Sequence, residues 1–185
     1  MRWVGYELHP ETPPGGVPLS QYLRDAEGML RYVKTFAAGF GIPDLAPPER
    51  LASTRRALAV AEHARDVGRL GPFVAAAYDA YWRRCEGLES DAELAELARR
   101  ARLDPDAAVG AAADPALLAR VDAARAAAIA AGVTGIPTFD VSPISPRCRD
   151  VPSRVVGCQR YEVLADAVRR AGGRRRGPSG PSPAA

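Results

Sequence analysis

The spacing of apolar residues changes its period twice along the chain. Trp3–Leu8 combines aromatic and β-branched residues and lies just before Pro10, so it predicts a short strand. A loop rich in proline and glycine comes next. Ser20 then stands where an N-cap would precede a helix that runs to about Phe40 and ends at Gly41. This region therefore predicts a strand, a stiff loop and one helix.

A long helical block occupies the middle of the sequence. Leu51–Val67 and Pro72–Cys85 carry apolar residues at helical spacing, and Ser90 opens a further helix that ends near Arg102. The last helix of the block ends before Gly132. Two of its helices start where an acidic N-cap precedes proline, at Asp104-Pro105 and Asp114-Pro115.

An alternating pattern returns after the helical block. Ile136–Val141 and Arg154–Gly157 are two short apolar runs joined by a proline-bearing connector, so they predict a hairpin. Tyr161–Ala171 predicts a closing helix, and residues 172–185 have the composition of a solvated, disordered tail. The order of elements predicts one α/β domain over residues 1–171, with a large all-helical insertion at about 44–131.

The composition narrows the class of protein. The 185 residues are 47% hydrophobic and 25% charged, which fits a folded domain and excludes a collagen-like or wholly disordered chain. The net charge of +3 is too small to favour a nucleic-acid partner. Apolar stretches fall short of the roughly 20 residues of a membrane span, and no signal peptide is recognisable, so we expect a cytoplasmic protein without a membrane partner.

Three segments resemble one family. They are YELHPETPPGG at residues 6–16, GVTGIPTF at 132–139 and VGCQ at 156–159. In this order they resemble DsbA-like thioredoxin-fold oxidoreductases of the FrnE type, in which a helical insertion separates similar segments. The resemblance covers residues 2 to about 172. It implies a thioredoxin-like fold and thiol–disulfide exchange.

The resemblance also implies a substrate-binding surface. The proline of the GIPTF element is cis in these relatives, which makes Ile136-Pro137 the expected cis bond here. This geometry turns the N–H and C=O of Ile136 outward, where an extended peptide can pair with them. Gly157 and Cys158, in the loop after the last strand, border the same surface. The implied substrate-binding residues are thus Ile136, Pro137, Gly157 and Cys158.

One family element is missing from the sequence. The relatives carry a further strand and a helix bearing Cys-x-x-Cys before the segment matched by Trp3–Leu8, and no Cys-x-x-Cys pair occurs here. Either the natural product begins upstream of Met1, which we favour as an expectation, or the protein is degenerate. A degenerate protein would close the gap by direct pairing or by borrowing a partner's strand. No catalytic role is therefore assigned by motif.

The three cysteines have competing interpretations. Cys158 is the candidate catalytic thiol, but free cysteine is often a small buried hydrophobe, and that interpretation is favoured for it. Cys148 lies close enough in sequence to bridge to Cys158, and Cys85 is expected to pack inside an aromatic helix. The two histidines stand at no ligand spacing to a cysteine, so no metal site is expected.

The sequence thus favours a thiol–disulfide oxidoreductase acting on a protein or small thiol or disulfide. No bound cofactor is expected, with glutathione as the one candidate ligand. Two alternatives stay open: an enzyme similar to the glutathione-dependent 2-hydroxychromene-2-carboxylate isomerases, and a non-catalytic peptide-binding module. An exposed strand edge would also permit self-association.

Overall fold

The structure is a computed structural model that describes residues 2–144 and 152–174. The chain divides into two compact units, Met1–Ala131 and Gly132–Ala185, and each is described by itself. No helix in the described ranges is both long and apolar enough to cross a bilayer. The single domain proposed for residues 1–171 stays a prediction, and most of the predicted tail lies outside the described residues.

The first unit is predominantly helical. Its strands are two residues long each and pair antiparallel, with Val17 opposite Leu51. Its elements in chain order are β1 (Val17–Pro18), α1 (Leu19–Tyr22), α2 (Ala26–Ala38), β2 (Arg50–Leu51), α3 (Arg55–Asp66), α4 (Leu70–Arg83), α5 (Asp91–Arg100), α6 (Pro105–Ala111) and α7 (Pro115–Ala130).

Two clusters of buried side chains hold this unit together. The larger is built around Val60, Phe73 and Leu97, all at most 1% exposed, which come from α3, α4 and α5. The smaller packs Leu117 and Val121 of α7 with alanines of α3 and α6. Alanines at these contacts let the helix axes approach closely, so the helical block predicted from periodicity folds around its own core.

The helix starts within the block follow from local sequence. Asp104 and Asp114 accept hydrogen bonds from the N–H groups of Ala107 and Ala116, both at 2.8 Å, and proline follows each at the first helical position. Ser90 and Glu93 form a reciprocal capping box at the start of α5. All three N-caps match the sequence prediction.

The Ser90 cap provides a first prediction. We expect Ser90→Ala to lower the free energy of unfolding by about 1 kcal/mol, because the Glu93 N–H loses its side-chain acceptor. Urea denaturation would measure the change. Ser20→Ala is the matched control, since the exposed Ser20 lies inside α1, where no side-chain cap forms. Equal effects of the two substitutions would contradict the capping role.

Two predictions for the N-terminal region are wrong. Trp3–Leu8 forms no strand in the structure, because a strand requires a paired neighbour and no described segment forms a backbone ladder with this one. The single helix expected from Ser20 to Phe40 is interrupted at Leu23, which is extended. Ser20 is therefore not the N-cap of the main helix but lies inside α1; the N-cap is Asp25, whose carboxylate accepts from the Gly28 N–H at 2.7 Å.

The second unit contains a hairpin and a helix. Strands β3 (Thr138–Val141) and β4 (Ser153–Val156) pair antiparallel, with Thr138 opposite Val156 and Val141 opposite Ser153. Helix α8 (Tyr161–Arg170) follows and buries Ala167. The hairpin and the closing helix occur where the alternation and the helical spacing predicted them.

Candidate functional site

The entrance of β3 holds the proline singled out by the sequence. The Ile136-Pro137 peptide bond is cis, the isomer that the resemblance implies. Two hydrogen bonds fix the backbone around it. The Gly157 N–H donates to the Pro137 carbonyl at 2.8 Å, and the Thr138 hydroxyl donates to the Gly135 carbonyl at 2.5 Å. The loop therefore has a defined geometry at the open end of the hairpin.

Ile136 exposes main-chain groups that are unpaired among the described residues. Its residue surface is 44% exposed, and neither its N–H nor its C=O has a hydrogen-bond partner within residues 2–144 and 152–174. Backbone groups in folded proteins are normally paired with protein or with water. An exposed N–H and C=O of this kind is the arrangement to which an extended peptide adds as a strand, and substrate binding at Ile136 stays a prediction.

Cys158 directly follows the residue that is hydrogen-bonded to Pro137. Gly157, which bonds to Pro137, has φ +82°, a left-handed conformation that glycine adopts readily. The following Cys158 is a free, exposed thiol, so the buried location favoured for it is wrong. The physical reason is the turn at Gly157: it ends the strand and leaves the next residue outside the packed face. The Gln159 amide donates back to the Val156 carbonyl at 3.0 Å and closes this turn.

The other thiols do not join this site. Cys85 is exposed, contrary to the packing role expected for it, because the chain leaves α4 there with φ +53°. Its Sγ donates to the Ala46 carbonyl at 3.2 Å. Cys148 lies outside the described residues, so its bridge to Cys158 stays a prediction.

An ion pair between β3 and β4 stabilises the hairpin. The Arg154 guanidinium contacts Asp140 through two hydrogen bonds of 2.6 and 2.9 Å, and these bonds hold the pKa of the Asp140 carboxyl below its ordinary value. Asp140 and Arg154 face each other directly in the register. The pair therefore supports the strand alignment that places Gly157 opposite Pro137.

Comparison with known proteins identifies the family. A model of the DSBA-like thioredoxin domain matches residues 1–169. The chain belongs to the DSBA-like thioredoxin domain family. This DsbA-like chain is also similar to the crystal structure of a probable DsbA oxidoreductase from Streptomyces coelicolor. The two are 25% identical with a TM-score of 0.71, and the match covers 96% of this chain and 81% of that one. A search of curated proteins finds no significant match.

Family membership confirms the thioredoxin-like α/β fold inferred from the three sequence segments, and with it a thiol-oxidoreductase-like class. The structure adds two hydrogen bonds that the sequence did not reveal, one from the Thr138 hydroxyl to the Gly135 carbonyl and one from the Gly157 N–H to the Pro137 carbonyl. The second could have been found from the hairpin register, since Thr138 opposite Val156 places Pro137 opposite Gly157. No group of three or more potential ligands in the described part of the chain is arranged to hold a metal ion.

Proposed function

We propose that this DsbA-like protein binds an extended thiol- or disulfide-bearing peptide along Ile136 and exchanges disulfides with it through Cys158, as a thiol–disulfide oxidoreductase of the FrnE type. The observation that carries the proposal is that the exposed thiol of Cys158 follows the glycine bonded to Pro137, while the exposed main chain of Ile136 has no hydrogen-bond partner among the described residues. The hydrogen bond from Gly157 to Pro137 links the two, because Cys158 directly follows the residue that is paired with Pro137.

The exchange proceeds by thiolate attack. The Cys158 thiolate attacks one sulfur of the substrate disulfide, an S–S bond to Cys158 forms as the substrate S–S bond breaks, and the departing sulfur takes up a proton. A second thiol, from the substrate or from a small thiol such as glutathione, then attacks the mixed disulfide and releases Cys158. These two reaction steps need no Cys-x-x-Cys pair, but the second step depends on the external thiol.

Pairing with Ile136 gives the substrate its orientation. One residue of an extended peptide can accept from the Ile136 N–H and donate to its C=O, as in the addition of a strand to a sheet. Such pairing raises the local concentration of the substrate sulfur near Cys158. The main chain supplies affinity for many sequences, and the exposed Ile136 side chain offers an apolar contact.

Mixed-disulfide formation tests the proposal directly. In a Cys148→Ser background the chain keeps two exposed thiols, Cys85 and Cys158. We expect an extended peptide that carries an activated disulfide to modify Cys158 at least about tenfold faster than Cys85, because proximity raises its effective concentration. Intact-mass spectrometry with peptide mapping would follow both adducts.

Three comparisons make this test decisive. Cys158→Ser should abolish the fast phase, and Cys85→Ser should leave it unchanged. A small activated disulfide without a peptide should lose the preference for Cys158, because it cannot pair with Ile136. Equal rates at both thiols with the peptide would reject the proposed function. Peptide binding that survives in Cys158→Ser without any preferred adduct in the parent would instead support the non-catalytic binding module.

A further inference from the structure

A second candidate site lies in the first unit, in a cleft between the N-terminal segment and α7. The cleft has a volume of about 410 Å³, within the range of roughly 300–1,000 Å³ typical of small-molecule sites. Two arginines and two acids line it, so the charges of its wall balance: Arg55 and Arg125 against Glu7 and Asp122. Apolar side chains complete the lining, and among them Ile129 is 49% exposed.

Arg125 keeps most of its hydrogen-bonding capacity. Its Nε donates to the Glu7 carbonyl at 3.1 Å, which fixes the guanidinium at the cleft. Its two terminal nitrogens have no hydrogen-bond partner in the part of the chain that the structure describes. A planar guanidinium held in this way can receive a carboxylate through paired, charge-assisted hydrogen bonds.

Glu7 offers the opposite charge. Its residue surface is only 2% exposed, and its Oε2 accepts from Arg55 at 3.0 Å. Its Oε1 has no hydrogen-bond partner within the described ranges, and it is not one of the fully buried unpaired atoms, so it keeps some contact with solvent. The Arg55 Nη1 that donates to Glu7 Oε2 also donates to Asp122 at 2.7 Å, and its Nη2 donates to Asp122 at 2.8 Å.

We propose that this cleft binds a small zwitterion with an apolar body, of the size of an apolar amino acid or a dipeptide. The carboxylate of the ligand pairs with the terminal nitrogens of Arg125, its ammonium donates to Glu7, and its apolar body covers Ile129. A ligand with a carboxylate but no ammonium should bind more weakly, because it adds a negative charge to a cleft in which the charges of the lining residues already cancel. The proposed binding uses residues of the first unit alone and does not depend on the proposed thiol exchange.

A series of ligands with matched apolar bodies tests the proposal on the unmodified protein. We expect L-leucine to bind at least about tenfold more tightly than 4-methylpentanoate, which lacks the ammonium, or 3-methylbutylamine, which lacks the carboxylate. Titration followed by amide chemical shifts would give the affinities and should show the largest shifts around Glu7 and in α7. Equal affinity for all three compounds, or no saturable binding of leucine, would overturn the proposal.

Variants give a second readout. Arg125→Gln should weaken leucine binding by about tenfold and leave the affinity for 3-methylbutylamine unchanged, since only the carboxylate loses its partner. Arg99→Gln, an exposed arginine of the same unit, is the matched control and should change neither affinity. Because Arg125 also holds the N-terminal segment, thermal unfolding of each variant would be measured. If the Arg125→Gln variant does not fold, the ligand series on the unmodified protein still tests the proposal. An unchanged leucine affinity in a folded Arg125→Gln protein counts against the site.

Discussion

Replacing Phe73 with alanine should lower the free energy of unfolding by roughly 3–5 kcal/mol. Phe73 is 1% exposed and lies in the core cluster that joins α3, α4 and α5. The substitution removes its apolar surface and leaves a cavity that close-packed neighbours fill only in part. Urea denaturation followed by circular dichroism would measure the loss.

Tyr78 on the same helix is the matched control for Phe73. It is 62% exposed, so Tyr78→Ala removes a ring that is largely hydrated and should change stability by no more than about 0.5 kcal/mol. Similar losses for the two variants would show that α4 is not anchored through the face that carries Phe73. A loss of stability in Phe73→Ala alone would show that the buried helical core stabilises the first unit.

The features predicted correctly from sequence depend on neighbouring residues. Ser90 and Asp104 act as N-caps because a side chain and an N–H three residues away suffice for the hydrogen bond. The hairpin is similarly local, since alternation selects the face of each strand and the connector joins them. The residues that determine these features lie close together in the sequence, so their spacing and periodicity predict the features.

The features that were missed depend on distant partners. Trp3–Leu8 has the composition of a strand, but composition cannot supply the neighbour that a strand must pair with. Likewise, Glu7 meets Arg55, 48 residues away, and Arg55 meets Asp122, 67 residues away, and no spacing rule connects these positions. The candidate zwitterion cleft is built from these contacts and was therefore invisible in the sequence.

The exposure of the cysteines was also predicted wrongly from the sequence. Burial statistics for cysteine favoured packed positions for Cys85 and Cys158, yet both are exposed. Each sits where the backbone has just left a regular element, Cys85 itself at φ +53° and Cys158 after Gly157 at φ +82°. The backbone turn, rather than the residue type, decides the exposure. A glycine immediately before a cysteine at a strand end was the available signal.

Replacing Arg55 with methionine should destabilise the protein by about 2–3 kcal/mol, because it leaves the buried Glu7 carboxylate without its partner. Breaking a fully buried pair costs roughly 3–5 kcal/mol, and the effect here is smaller because the Arg55 side chain is 37% exposed. The double variant with Glu7→Gln should be more stable than Arg55→Met alone, since no unpaired charge remains. Strictly additive losses would contradict this explanation.

The pH dependence gives the Arg55 prediction an independent check. Hydrogen bonds from Arg55 hold the pKa of Asp122 below its ordinary value of 3.8. A lowered carboxyl pKa contributes stability that is present above the unfolded pKa and is lost as the pH falls through the folded one. The stability difference between the parent and Arg55→Met should therefore be constant near neutrality and shrink below about pH 4. Urea denaturation at several pH values would measure this difference in the free energy of unfolding. A difference that stays constant down to pH 2 would mean that Arg55 stabilises the protein through packing of its aliphatic side-chain carbons instead.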